Sequence, residues 1–581
     1  MSIPQANDYG RVEHGDRQAA PNGAAVGPRP GAASGATRAA PDWELVRKRN
    51  NIEKLKHEKA PLSIVDEIEV LAARDYLDVS EEDMVRFQWY GLYHDKPKTG
   101  YMMLRIKVPA GRLTAPQYRA IGELSQKFGR DYSELTTRQT VQIHWIRIAD
   151  LPEVFATLSS VGLTSKGGCG DAVRNVTGCP VSGLDSSELF DCQPYLDELV
   201  EYFLSHDEYL DLPRKHKISM STCAEQCNAP EINCINFVGA RQVGADGTER
   251  LGFAVRVGGG LSSTPRISKH LGVFIAPDEA IPVARALLDV WRTDLKYRMS
   301  RAKARMKFLV DDYGVDLLRE KVKENLGRKL DDLAELPVAT GHTDHLGITP
   351  EKGAEMVSIG VPAYLGLVTG EQTVAIAELA ATYGGEIRLT RQQNFILTGV
   401  PEARVDEVTA RLAELKLPID AGRLRGSSIA CTGQPLCNFA VAGTKTKLGE
   451  IVERLEARFG TEADGLKLGV DGCPHSCAHH WVTDIGLQGT TGRGEAGQAK
   501  QEAYEIYLRG GLGADAAIGR PILRRVPAAE APAYVERLVG GYLAERGADE
   551  SFQAFAIRKS DEELIQLATG QPAVAATTGG A

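Results

Sequence analysis

Apolar positions recur along this chain in two rhythms, and the rhythms alternate. A run such as "TVQIHWI" at 140–146 is short, β-branched and aromatic, as a buried strand requires. The next stretch, "LPEVFATLSSVGL", is opened by Pro-Glu and spaces its apolar residues as one face of a helix. The same succession returns in the second half as "QNFILTGV" and then "VPEARVDEVTARLAELKL". Ahead of each lies a segment of equal length. Residues 108–139 read "VPAGRLTAPQYRAIGELSQKFGRDYSELTTRQ" and residues 361–392 read "VPAYLGLVTGEQTVAIAELAATYGGEIRLTRQ". Both begin Val-Pro-Ala, carry "AIGEL" or "AIAEL" within a helix pattern, and close on Thr-Arg-Gln.

A second pair follows in the same order. "FAVRVGGGLSS" at 253–263 matches "YEIYLRGGLGA" at 504–514, and each leads into a helix, "PDEAIPVARALLDVW" and "AAEAPAYVERLVGGYL". An internal repeat of this kind fixes the architecture before any single motif does. The expected fold is α/β (α+β), two homologous halves of two modules each related by a pseudo-two-fold axis. Concave inter-domain sites form between such halves, so a cofactor is expected there.

Composition narrows the class. The chain has 581 residues, 43% apolar and 25% charged, which suits an ordinary globular protein of about three to five domains. No run of about 18 apolar residues is present, so no membrane span is expected. The net charge of -9 argues against a general nucleic-acid partner. The N-terminus lacks the apolar core of a signal peptide, and the expected compartment is the cytoplasm. Ten cysteines are too few for a disulfide scaffold at this length, so clustered ones read as metal or redox sites. Residues 1–42, rich in Ala, Gly and Pro, are expected to form a disordered tail, and "LVRKRNNIEKLKHEKA" near 45–58 a solvated helix.

Two cysteine pairs stand in the second half: Cys431 and Cys437 in "CTGQPLC", and Cys473 and Cys477 in "GCPHSC". A helix pattern, "TKLGEIVERLEARF", and a short strand, "LKLGV", separate them. Four thiolates from two loops can hold a [4Fe-4S] cluster. Zinc is the alternative, although its knuckles are usually tighter than a five-residue gap, and unrelated buried thiols are a third reading. Cations gather in the first half: Arg105 and Lys107 at alternate positions in "MMLRIKVP", Arg138 and His144 in "TTRQTVQIHW", Arg174 in "GDAVRNV", and Arg214, Lys215 and Lys217 in "LPRKHKIS". Most Lys and Arg are solvated, but several of these sit inside apolar strand context. Together they would make a pocket for a small oxyanion or for a cofactor with many carboxylates. No dinucleotide fingerprint or flavin domain is present, so electrons are expected from another protein.

The set "LRIKVP", "TTRQTVQIHW", "DAVRN", "LPRKHK", "CTGQPLC" and "GCPHSC" resembles the sirohaem and [4Fe-4S] sulfite and nitrite reductases of the ferredoxin-dependent, assimilatory type, over about residues 85–550. The resemblance implies a six-electron reduction of a small oxyanion, sulfite to sulfide or nitrite to ammonia, with ferredoxin as the donor. It implies that Cys431, Cys437, Cys473 and Cys477 ligate the cluster and that Cys477 is also axial to the sirohaem iron. Arg105, Arg174, Lys215 and Lys217 match the family's cationic substrate pocket. Thr136, Arg138, His144 and Arg214, with Lys307 in "RMKFL", match positions that hold sirohaem.

The implied organisation is a helical segment at 43–84, a ferredoxin-like module at 85–163, a sirohaem and substrate module at 164–295, linker helices at 296–344, a second ferredoxin-like module at 345–420, a cluster and sirohaem module at 421–550, and a C-terminal tail at 551–581. Plant-type nitrite reductases tend to carry Asn where this chain has Lys217, and sulfite reductases Lys, so the expectation leans to sulfite. Members often read C-P-N-x-C where this chain has His475. A non-catalytic, metal-stabilised anion-binding protein is the expectation from another class.

Six cysteines stay outside the quartet: 169, 179, 192, 223, 227 and 234. "CAEQC" with Cys234 has the form of a second metal site, but small buried residues beside the pocket are the expected reading. Cys169 is a candidate for reaction with Tyr93. The basic run "KYRMSRAKARMK" at 296–307 is expected beside sirohaem, or at a docking face for an acidic ferredoxin, or on a solvated helix.

Overall fold

A computed structural model describes residues 41–244, 247–340, 344–353, 355–492 and 500–570. The expected N-terminal tail lies, but for its last two residues, outside the described residues.

Each half contains a five-stranded antiparallel sheet, and each sheet borrows its last strand from the other half. The first runs Leu92–His94, Tyr101–Ile106, Val141–Arg147, Ser133–Leu135, and is completed by Leu367–Val368 of the second half. The second runs Gly347–Pro350, Met356–Val361, Phe395–Pro401, Ile387–Leu389, and is completed by Arg112–Leu113 of the first. The exchange joins the halves through backbone hydrogen bonds. It also gives them one hydrophobic core, which takes Leu104, Ile143 and Leu124 from one half and Ile359, Leu397 and Ile376 from the other. The repeat helices Ala115–Phe128 and Gly370–Tyr383 are both closed by a Thr/Gln capping box. They cross at Gly122 and Gly370, where a Cβ on Gly122 would lie 2.9 Å from the Gly370 carbonyl.

The two larger modules repeat one topology. In the first, Thr177–Gly178, Ile218–Ser221 and Ile235–Val243 pair in parallel, and Glu249–Val257 and Lys269–Ile275 follow antiparallel. In the second, Ile429–Ala430, Leu468–Asp471 and Ile485–Thr491 are parallel, and Glu502–Leu508 and Arg520–Pro527 antiparallel. The strands and helices expected from "TVQIHWI", "QNFILTGV", "LKLGV" and the repeat segments are all present.

Three expectations at the edges are corrected. The stretch from 551, expected as a tail, continues as helices Phe552–Arg558 and Asp561–Thr569, and Phe552, Phe555 and Leu564 are buried in the core of the second large module. The linker helix Met306–Leu326 buries Met306, Leu309 and Leu318 in the core of the first large module, so it belongs to that module. The segment near 45–58 is two helices, Trp43–Arg49 and Asn51–Glu58, hinged where Asn50 caps the second. It is docked, not solvated: buried Glu53 pairs with Arg298 at 2.8 Å and with Lys56 at 2.8 Å.

Candidate active site between the halves

One cavity, about 1520 Å³ including its open mouth, lies where the first five-stranded sheet faces the cysteine loops of the second half.

Strand register builds its first wall. Tyr93 opposes Met103, Arg105 opposes Gln142, and Gln142 opposes Glu134, so one face of four adjacent strands carries the row. His144 shares that face because alternate strand residues point the same way. Arg105 donates to Gln142 Oε1 at 3.1 Å and to Cys169 Sγ at 2.6 Å. His144 Nδ1 lies 2.7 Å from Asp95 Oδ1. Burial disfavours its charge, but Asp95 and Glu134 outweigh burial and push its pKa up to about 10, so the ring is an imidazolium at neutral pH. Burial likewise opposes the charge on Glu134, and Lys445, His144 and Thr432 outweigh it to hold the carboxyl well below its usual range.

The tight turn Thr136–Thr140 places Arg138 on the cavity, where it donates to Asn233 Oδ1 at 2.7 Å. Thr137 of the same turn donates to the Cys477 carbonyl at 2.8 Å, tying the cysteine loop to the first half.

The second wall holds the cysteines. Cys431 directly follows strand Ile429–Ala430, and Cys473 comes two residues after Leu468–Asp471, so both loops leave the C-terminal ends of neighbouring parallel strands. In open α/β sheets that edge is where ligands bind. Asp471 shapes the second loop, accepting from Ala478 N at 2.8 Å with His480 Nδ1 2.9 Å away. All four of Cys431, Cys437, Cys473 and Cys477 line the cavity. His475 lines it too, its ring edge-on to the exposed Phe439 at 4.8 Å. Burial, then Lys215 and Arg214, lower the pKa of His475 and keep it neutral.

The third wall brings Arg174, Asn175, Lys215 and Lys217 from the segments entering the parallel strands Thr177–Gly178 and Ile218–Ser221. Arg174 is held by the Gly170 and Gly168 carbonyls at 2.7 and 3.2 Å. No carboxylate of the described residues ion-pairs with Arg105, Arg138, Arg174, Lys215 or Lys217. Burial, followed by the like charges of Arg305 and Arg174, pushes Lys215 down to about 7, and burial with Arg138 and Arg305 also holds Lys217 well below its usual value. Buried cations without acidic partners are costly, so this wall is built to receive negative charge.

Two predicted site residues are placed elsewhere, and one neighbour with them. Lys307 does not line the cavity. Its Nζ is taken up by the carbonyls of Leu261 at 2.8 Å and Thr264 at 2.5 Å, and it acts as a loop staple. Arg214 lies beside the cavity but is drawn to the buried Asp171 at 3.1 Å, which also holds Arg301 at 2.6 Å. Lys107, past the end of its strand, is buried against the Val173 carbonyl on another surface. Much of the basic run is structural, with Arg298 paired to Glu53, Arg301 to Asp171 and Lys296 to Asp312, while its Arg305 lies beside the cavity cations and lowers the pKa of Lys215. Sequence reasoning missed Asp95, Glu134, Gln142 and Thr137. The acid and amide within apolar strands were the available signal.

Comparison with known proteins decides the family. Residues 169–330 and 422–568 match the family described as nitrite and sulphite reductase 4Fe-4S domain, and residues 94–161 and 349–415 match the nitrite/sulfite reductase ferredoxin-like half domain. The chain belongs to the nitrite and sulfite reductase family. It is 33% identical to sulfite reductase (ferredoxin) 1 of Mycolicibacterium paratuberculosis, over 91% of this chain and 98% of that one. It is 34% identical to the ferredoxin–nitrite reductase of Synechococcus elongatus, over 85% and 96%. The solved structure of Mycobacterium tuberculosis NirA protein aligns with a TM-score of 0.84 at 31% identity, covering 90% of this chain and 99% of that chain.

The reductase is thus an oxidoreductase of the sirohaem and [4Fe-4S] type. The cavity fits those groups. Besides its four cysteines and unpaired cations, it carries buried polar atoms without hydrogen-bond partners among the described residues: His94 Nε2, Arg138 Nε and Asn175 Oδ1. Buried polar atoms are normally satisfied, so a bound group is what these lack.

Proposed function

We propose that this reductase reduces sulfite to sulfide by six electrons, with nitrite to ammonia as the alternative, and that ferredoxin is the electron donor. The observation that carries the reading is the convergence of five unpaired cations and four cysteines on one cavity. Cys431, Cys437, Cys473 and Cys477 would ligate the cluster, with Cys477 shared with the sirohaem iron. Arg138, Thr136 and His144, with Arg214 at the margin, would hold sirohaem carboxylates. When bound, the coupled pair supplies an open iron coordination position and electrons one at a time.

The chain's own residues do the remaining work. Arg105, Arg174, Lys215 and Lys217 hold the anion's oxygens and stabilise charge as each oxygen leaves as water. Every departing oxygen needs protons. Arg105 and Arg174 cannot give one, because guanidinium stays charged. Lys215, pushed to about 7, can bind and release a proton near neutral pH. Entry of an anion favours its ammonium form, so substrate and proton arrive together.

Lys217 supports the lean to sulfite, since a second amine that takes up a proton as the anion enters suits a dianion. The relatives include enzymes named for either substrate at similar identity. For the donor, the exposed Phe439 sits two residues from Cys437, and the neighbouring Lys96 Nζ lies 3.5 Å from the Ala440 carbonyl, an apolar and basic rim beside the cluster cysteines. No helix of the described residues is long and apolar enough to cross a membrane.

Steady-state kcat/KM with reduced methyl viologen tests the substrate directly. The expected result is a higher value for sulfite, and Lys217→Asn shifts the ratio toward nitrite by about tenfold. A ratio that already favours nitrite and is unmoved by that substitution contradicts the lean.

A further inference from the structure

Three cysteines outside the cavity form the most compact thiol group in the molecule. The Sγ atoms of Cys179, Cys223 and Cys227 all lie within 4.8 Å of one another, and all three residues are buried. His345 adds a fourth donor, its Nε2 2.9 Å from Cys227 Sγ. Cys234, which the sequence paired with "CAEQC", is not a member. It lies 3.7 Å from the Arg305 guanidinium instead.

The trio is the internal counterpart of the cluster cysteines. Cys179 directly follows strand Thr177–Gly178, as Cys431 follows Ile429–Ala430. Cys223 comes two residues after Ile218–Ser221, as Cys473 does after Leu468–Asp471, and Cys227 and Cys477 each follow at the same spacing. The backbones agree as well. Gln226 and Ala229 are left-handed at φ 52° and 54°, and Ser476 and His479, at the same offsets, at 55° and 59°. The fourth position differs: six residues after Cys179 stands Asp185, where the second half has Cys437. His345, from the connector entering strand Gly347–Pro350, supplies the remaining donor.

Spacing selects what such a set can hold. Ligand bonds of about 2.3 Å to sulfur and about 2.0 Å to nitrogen put tetrahedral ligand atoms roughly 3.5–3.8 Å apart around one ion. The three cysteine sulfurs are gathered on that scale, and His345 Nε2 stands against one of them, Cys227. No three of Cys431, Cys437, Cys473 and Cys477 come within 4.8 Å of one another, as suits ligands spread around a larger cluster. Charge is provided for. Three thiolates around a divalent ion leave one negative charge; buried Arg391 of the second half lies against the Cys227 loop, and Arg388, itself paired with Glu386 at 3.0 Å, lies against the loop of Pro180 and Ser182. Arg391 donates to the Cys227 carbonyl at 3.0 Å, and Arg388 to the carbonyls of Ser182 and Pro180 at 2.7 and 3.2 Å.

We infer that Cys179, Cys223, Cys227 and His345 bind one structural zinc ion, at the pseudo-symmetric position to the catalytic cluster. With four protein ligands the site is closed and leaves no position for substrate. It clips the connector between the halves onto the strand ends of the first large module.

The test is metal content and zinc K-edge absorption of holoenzyme purified under reducing conditions from zinc-replete cells. The expected result is about one zinc per chain with three sulfur and one nitrogen neighbours. Cys223→Ser should lower zinc at least fivefold. His345→Ala should lose zinc to a chelator at least tenfold faster than wild type, with the haem absorption bands unchanged. That last readout separates this site from the cavity. If Cys223→Ser does not fold, the wild-type spectrum and His345→Ala decide. Zinc absent from wild type, whether the thiols prove free or disulfide-bonded, overturns the assignment. So does iron in excess of that in the cluster and haem, or zinc unaffected by either substitution.

Discussion

On the proposed function, Lys215 is the residue on which the proton chemistry turns. Lys215→Arg keeps a cation in place but removes a group able to release a proton near neutrality. It should lower kcat by about 10²-fold while changing KM little, whereas Lys215→Met should impair both. Equal kcat for wild type and Lys215→Arg would contradict the role. Burial and neighbouring cations also fix a pH signature. The folded pKa of about 7 lies below the unfolded 10.5, so between these values the unfolded chain binds the extra proton. Unfolding free energy of the cofactor-free chain should therefore rise with pH from about 7 to 10, measured by denaturant titration. A fall over that window would contradict the depressed pKa. The cations were legible in the sequence because Arg138 stands at the repeated Thr-Arg-Gln and Arg105 and Arg174 stand within apolar runs. Lys307 stands in such a run too, yet three backbone carbonyls occupy it, and carbonyl positions have no sequence signature. The acids Glu134 and Asp95 escaped notice because what makes them part of the site is pairing across strands.

At the scale of elements, the exchanged strands Arg112–Leu113 and Leu367–Val368 hold the halves in register, and the crossing of the repeat helices sets how closely they approach. Gly122→Val would force a Cβ to within 2.9 Å of both the Gly370 carbonyl and Val374 Cγ2. The expected cost is about 1–3 kcal/mol of stability, read from denaturant unfolding, because the obstacle is backbone that cannot rotate away. An unchanged midpoint would show that the helices can separate without loss. The repeat exposed the element order, but not the exchange: two-residue strands are too short to leave a period. The C-terminal helices were hidden for a related reason. At seven and nine residues they are too short to show a sustained helical period, and only docking against the second large module shows that they belong to its core.

The whole molecule uses one fold twice and keeps its two cysteine sites apart. Cations of the first large module face the cysteine loops of the second across the candidate active-site cavity, while the first module's own cysteine loops face Arg388 and Arg391 of the second half. The halves were visible in the repeated Thr-Arg-Gln. The correspondence of Cys179, Cys223 and Cys227 with Cys431, Cys473 and Cys477 was visible in principle, but it needs strand ends rather than motif text to align it. The central claim is that the four cavity cysteines join the cluster to the haem through Cys477. The absorption spectrum of Cys477→Ser, purified beside wild type, tests this most directly. The account predicts that the sirohaem Soret and red bands shift or are lost together with the cluster absorption. A variant carrying both cofactors with haem bands identical to wild type would contradict it.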